Sequence, residues 1–300
     1  MLQKNKYICC FGEVLWDDFP SGRLPGGAPM NVAIGLQNLG IAGVMISRVG
    51  QDNLGNEIKD FLRSKNCTEQ WVQTDSEQGT GIVKVHATET GENHYEIVQP
   101  IAWDFISLAP KMADLVKNAY GIVFGTLACR NSVSLNTLLK LLKSAPLKIY
   151  DVNFRPPFYD KTLVKMLLEQ ADIVKMNDDE LKIISSWYLL TETAETVQMR
   201  FLKDKFNLKM LIVTRGANGA ICLNEQGIHQ SKGFKVQVQD TVGSGDAFLA
   251  GFLKNLYQGN LPEKALTYAC ALGAIVATHK GANPNIKEED IKDKILRGCE

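Results

Sequence analysis

Six short runs along the chain, at residues 7–11, 44–49, 121–124, 148–152, 173–176 and 210–214, are mostly apolar and end in polar or glycine-rich residues. Continuous rather than alternating apolarity marks strands covered on both faces, so these runs predict a buried parallel sheet. Between several of them, residues 30–39, 53–64, 133–142, 163–170 and 193–206 read as helices. Alternation of that kind implies crossover units, hence an α/β class with helices packed on the sheet. One region departs from the pattern. Residues 81–87 and 94–98 alternate in polarity around the turn-forming Thr90, Gly91, Glu92 and Asn93, which predicts an antiparallel hairpin. Such a piece is either a lid over one end of the sheet or a plain edge hairpin. With no Pro-rich linker, low-complexity tract or repeat in the chain, a lid here is an insertion within one domain.

Length and charge narrow the class. At 300 residues the chain can bury a large core, as one α/β domain or as a domain with a small accessory part. Lys plus Arg and Asp plus Glu both total 33, so no net field favours nucleic acid or an anionic membrane, and a small molecule is the better partner. Met1 to Lys6 are polar and lead into an apolar run too brief for a signal peptide or a membrane span, which points to the cytoplasm. The seven cysteines, Cys9, Cys10, Cys67, Cys129, Cys222, Cys270 and Cys299, are odd in number and never spaced C-x-x-C. They read as reduced, buried small hydrophobes.

The stretch richest in chemistry is Asp240-Thr241-Val242-Gly243-Ser244-Gly245-Asp246, which runs into a helix carrying Phe248, Phe252, Leu253 and Leu256 on one face. Glycines let backbone approach a ligand, and the free amides of a first helical turn favour an anion such as phosphate. An aspartate at that point repels phosphate unless it has a task of its own. Accepting a hydroxyl proton is such a task; serving as a helix cap is the alternative. No Gly-Lys pair occurs, which excludes a Walker A loop, and Phe248 stands where a dinucleotide fingerprint needs its third glycine. A second stretch, Gly26-Gly27-Ala28-Pro29-Met30-Asn31-Val32-Ala33, places a double glycine before a helix with an early amide able to donate and accept.

Together these two segments resemble the N-terminal and C-terminal signatures of the PfkB (ribokinase-like) carbohydrate kinases, in order and separation. The likeness extends through Gly12-Glu13 with Asp17, Gly50-Asp52-Gly55, Asp151-Asn153-Arg155, Asn177-Glu180, Thr214-Gly216-Gly219 and Gly281-Ala282. The resemblance implies a central mostly parallel sheet flanked by helices, with a small β lid inserted from about 13–25 and 79–104 of one domain. It implies Asp246 as catalytic base and Gly243, Ser244 and Gly245 as an anion hole. Asp17, Gly26, Gly27 and Asn31 would bind sugar, with either Asp17 or its neighbour Asp18 facing inward, and Arg155 would contact sugar or phosphate. Asn177, Thr214, Gly216, Gly219, Gly281 and Asn283 match nucleotide-binding positions. Glu180 matches a residue that holds Mg2+ through water, although Asn177 and Glu180 also read as a helix cap. Asp240 lies where some relatives bind K+. The opening Gly12-Glu13-Val14-Leu15-Trp16-Asp17 and the later Ala102-Trp103-Asp104 look most like fructokinases, which makes ATP and fructose the implied substrates. Trp16 and Trp103 either stack on sugar or fill the core. Pairing of lids in relatives implies a homodimer.

Overall fold

A computed structural model describes residues 7–19, 22–87, 93–190 and 194–298. Its strands are β1 (Tyr7–Phe11), β2 (Leu15–Phe19), β3 (Gly22–Gly26), β4 (Ala42–Gly50), β5 (Val72–Asp75), β6 (Gly81–Ala87), β7 (Asn93–Ile97), β8 (Ile122–Gly125), β9 (Lys148–Asp151), β10 (Ile173–Asn177), β11 (Met210–Thr214), β12 (Ala220–Asn224) and β13 (Gly227–Ser231). Nine of them form one sheet in the order β13-β12-β11-β10-β9-β8-β1-β4-β5. From β5 across to β11 the pairs are parallel, and only β12 and β13 join antiparallel at one edge.

All six predicted apolar runs are strands of this sheet. Their continuous apolarity has a two-sided cause. In β1, Cys9 and Phe11 enter the core on one face while Ile8 and Cys10 enter the core on the other. β4 divides the same way, with Val44 and Ile46 opposite Met45 and Val49. The helices that cover the faces begin where the chain supplies caps. The Asp52 side chain accepts from the Gly55 amide to start Asn53–Ser64, Asn131 caps Ser132–Leu142, and Asp160 caps Lys161–Gln170. Helix Ala28–Asn38 starts two residues before its predicted onset because Pro29 fits the first turn, where no amide hydrogen is needed. The predicted 193–206 helix is Glu195–Lys205, with Thr193 outside the described residues. Six cysteines are free and buried, while Cys299 lies outside the described residues. Among the described residues no helix is long and apolar enough to cross a membrane.

The expected hairpin is present as β6 and β7, paired antiparallel from Val83 with Ile97 to Ala87 with Asn93; Thr90, Gly91 and Glu92 lie outside the described residues. It is half of a second sheet, ordered β3-β2-β6-β7, in which β2 pairs parallel with β6 and antiparallel with β3. Two chain segments far apart in sequence therefore share one small sheet. Residues following β7 leave it: Ile101 and Trp103 are buried in the main core beside Phe11 and Ile46.

Candidate active site

Between the two sheets lies a cavity of about 680 Å3. Leu15, Asp17, Phe19, Val83 and Ile97 from the four-stranded sheet form one wall. The opposite wall comes from the C-terminal ends of β10 and β11 and the loop after β9, with the start of helix Ser244–Tyr257. Ligands gather at strand C-termini in parallel sheets, because the connecting loops and helix starts converge there.

The helix Ser244–Tyr257 begins without a capping side chain. Gly243 precedes it with φ 76°, a left-handed conformation; a Cβ there would lie 2.4 Å from the Cβ of Ala282 and 2.5 Å from its Cα. A side chain at this position meets both strain and backbone contact. The Ser244 amide donates to the Thr241 carbonyl, and the Ala247 amide to that of Gly243. The amides of Gly245 and Asp246, as second and third residues of the helix, have no intrahelical acceptor, and both residues line the cavity. Free amides at a helix start can receive an anion.

Asp246 is 9% exposed, with Oδ2 accepting from Asn31 Nδ2 at 2.8 Å. Burial, with the charge of Asp151 added, pushes its pKa up to about 6, against the pull of Lys175, Asn31 and Arg155. Asn31 in turn accepts on Oδ1 from Asn283 Nδ2 at 2.8 Å. Asn283 therefore stands behind Asn31, in a small crevice shared with Ala247, and does not line the main cavity.

Asp17 faces the cavity, whereas Asp18 pairs with Arg23 in solvent. Gly26 on β3 pairs with Leu15 and lies diagonally from Asp17: a Cβ there would lie 2.3 Å from Asp17 Oδ2, so the glycine leaves room for the carboxylate. Burial raises Asp17 to about 6, with Asp240 adding to the shift and Arg155 opposing it. Gly27, Arg155, Asn177, Glu180 and Thr214 also line the cavity. Asn177 and Glu180 form the reciprocal cap that their spacing allows: Asn177 Oδ1 accepts from the Glu180 amide and Glu180 Oε2 from the Asn177 amide, each at 2.8 Å. Glu180 Oε1 accepts from the Phe154 amide.

Other expected site residues sit outside the cavity wall. Trp103 is fully buried in the core with the Arg130 guanidinium 4.1 Å over its ring, and Trp16 donates to the Leu54 carbonyl, so both indoles are packing groups. Stacking of Trp103 on a sugar is thereby corrected: its faces are occupied by protein. Ser244 Oγ donates to the Gly273 carbonyl. Gly216 and Gly219 shape the turn between β11 and β12. Asp240 accepts from the Val242 amide on one oxygen and from the Gly281 amide on the other, tying the two loops together.

The cavity also holds residues to which the sequence reading gave no role. Glu13 is 3% exposed with Oε2 unpartnered, and burial raises its pKa to about 7. Lys175 is a buried ammonium 2.9 and 3.0 Å from the two oxygens of Asp151. Asn153 carries a left-handed φ of 41°, which Asn tolerates better than most residues. The one visible signal was a lysine inside an apolar strand, Ile173-Val174-Lys175-Met176.

The chain matches the description "pfkB family carbohydrate kinase" over residues 5–289. It belongs to the pfkB family of carbohydrate kinases. Probable fructokinase-7 of Arabidopsis thaliana is 28% identical over 318 residues, covering 96% of this chain and 92% of the relative. The fructokinase of Xylella fastidiosa with bound ATP superposes with a TM-score of 0.86 at 22% identity, covering 99% of this chain and all of the other. A double mutant of the fructokinase of Vibrio cholerae O395, with fructose, ADP and potassium ion bound, superposes with a TM-score of 0.83 at 21% identity over 98% of this chain and 100% of the other. The two structures share the ribokinase-like fold of this pfkB kinase, including a mostly parallel central sheet.

Proposed function

We propose that this kinase moves the γ-phosphoryl group of ATP onto the 6-hydroxyl of fructose. One observation carries the reading. A buried carboxylate, Asp246, and two free first-turn amides share a single helix start that opens on a cavity between two sheets. Phosphoryl transfer needs alignment of hydroxyl and phosphorus, a proton acceptor and donors for charge on the equatorial oxygens; no covalent intermediate on the protein is required. In this reading Asp246 accepts the hydroxyl proton, the free amides of Gly245 and Asp246 after the Gly243 turn receive the phosphoryl group while the Ser244 amide is held by the Thr241 carbonyl, and Asp17, Gly27 and Asn31 hold the sugar with Arg155 beside it. The four-stranded sheet acts as the lid, limiting transfer to water.

Four carboxylates, Glu13, Asp17, Glu180 and Asp246, line the cavity against two cations, Arg155 and Lys175. A triphosphate therefore needs a divalent ion with it. Among the described residues no group of three metal-ligating side chains forms a resident site, which fits Mg2+ arriving on the nucleotide and keeping its waters, one of them on Glu180. Asn177, Thr214, Gly216, Gly219 and Gly281 would border the nucleotide. Asp240 draws Val242 and Gly281 together, and carbonyls there would hold K+; replacing K+ by Na+ tests this by turnover. An acidic sugar is disfavoured, since Lys84 and Arg23 of the four-stranded sheet are exposed and pair with Glu96 and Asp18. The lid edge is the surface for a homodimer, measurable by sedimentation, and the cytoplasm is the proposed location.

ADP release measured with Mg2+ across a panel of sugars tests the proposal. The expected result is highest kcat/KM for fructose. Preference for 2-keto-3-deoxygluconate, ribose, a nucleoside or an aminoimidazole riboside overturns the sugar assignment. Thermal stabilisation by sugar with no ADP release from any of them would make the protein a sugar sensor.

A further inference from the structure

Lys175 occupies an unusual place. On β10 it follows Ile173 by two residues, so it shares the sheet face whose core includes Phe248 and Phe252 of helix Ser244–Tyr257. Its neighbours Val174 and Met176 enter the opposite core. The side chain thus fills an apolar slot yet ends in the cavity wall, only 7% exposed. Asp151 Oδ1 and Oδ2 accept from Nζ, and an ammonium has three N–H groups, so among the described residues one donor is left for the cavity. A Cβ placed on Gly245 would come within 3.2 Å of Nζ, with nothing else within 4 Å apart from its chain neighbours and the backbone of its own helix. Absence of a side chain at Gly245 keeps the space between ammonium and anion cup open. Burial disfavours the charged amine, but Asp151, Asp246 and Glu180 together outweigh it and raise the pKa, so the group stays cationic.

We propose that Lys175 is a catalytic residue that donates to the transferring phosphoryl group beside the Gly245 amide, with Asp151 holding it there. This rests on the kinase reading. As the sugar oxygen bonds to the γ-phosphorus, the bond from that phosphorus to the bridging oxygen of ATP breaks, the hydroxyl proton passes to Asp246 and ADP leaves. Lys175 gains and loses no proton; it balances charge on the equatorial oxygens, where a fixed donor in a dry site has most effect. The rival role is purely local: Lys175 neutralises Asp151 and nothing more.

Lys175→Met alone strands a buried carboxylate and endangers the fold, so the deciding variant is Lys175→Met with Asp151→Asn, which removes both charges together. Turnover in the double variant should fall by about 100-fold or more. By calorimetry, ADP should bind within about twofold of wild type, while β,γ-methylene-ATP should bind about tenfold or more weakly, because only the triphosphate reaches the ammonium. Turnover within about threefold of wild type, or equal weakening of both nucleotides, overturns the proposal. If the wild type releases no ADP with any sugar, the kinase reading fails, and the two binding constants still decide whether Lys175 meets a terminal phosphate.

Discussion

Glu180 and Asp246 both stand third in the first turn of a helix, each beside the same cavity, and their carboxylates are used in opposite ways. Glu180 reaches back to the amide of its own cap residue, Asn177, which is extended with φ −91° and ψ 174° and returns the bond. That helix start is closed on itself. Asp246 is one methylene shorter, and the residue in its cap position is Gly243, held left-handed against Ala282 with no side chain to offer. Its carboxylate turns instead to Asn31, leaving two amides free toward the cavity. A satisfied helix start is structure; one prevented from capping itself is available for a ligand.

Removing the charge at each position should separate the two roles most sharply. Asp246→Asn is expected to lower kcat by about 1,000-fold or more, in the range for loss of a general base, with no loss of thermal stability because a buried charge disappears. Near-normal turnover would remove Asp246 from the chemistry. Gly243→Asn would attempt to give the second helix the cap of the first. The clash with Ala282 and the left-handed backbone should cost about 2 kcal/mol of stability and about 100-fold in turnover, read by denaturant unfolding and ADP release; an active, stable variant would show the cup is not the site. Asp246 must be ionised to accept a proton, so kcat should fall toward tenfold per pH unit below about 6 and level off above it. Retention of full turnover at pH 4 contradicts that sign. Glu180→Ala should leave the Phe154 and Asn177 amides unpaired and cost about 1–3 kcal/mol, visible in the unfolding midpoint. Asn283→Ala should have the smallest effect. Loss of the bond that fixes the Asn31 amide should lower kcat about threefold, move the acidic limb upward and raise the sugar KM by a similar small factor.

Much of this was readable before any coordinates. The six apolar runs became strands because burial on both faces leaves no polar position to interrupt them, as 7–11 illustrates with four fully buried residues from Ile8 to Phe11. β2 and β3 were covered only by the resemblance, in the lid placed at about 13–25, and not by polarity: Trp16, Asp17 and Asp18 mix polarity, Pro25 argues against a strand, and Leu15, Asp17 and Phe19 of β2 line the cavity. Helix Pro262–Val276 is buried through much of its length, so it shows little of the amphipathic spacing that reveals a surface helix. The glycine loop and Asp246 were legible as a local pattern. Asn283 was not legible as a support for Asp246, since its partner Asn31 lies 252 residues earlier and only the tertiary fold brings the two amides together.

The small sheet carries a consequence for how the chain reaches this state. Its central pair joins Leu15 to Gly81, with β4, β5 and two helices made in between. Long-range pairing of this kind closes a large loop before any contact rewards it, so β2 and β3 should gain protection from hydrogen exchange late in refolding and together with β6. During synthesis the wall of the cavity built by Leu15, Asp17, Phe19, Val83 and Ile97 would remain incomplete until residues 81–97 had emerged, which would delay any ligand capture there until both strand pairs exist.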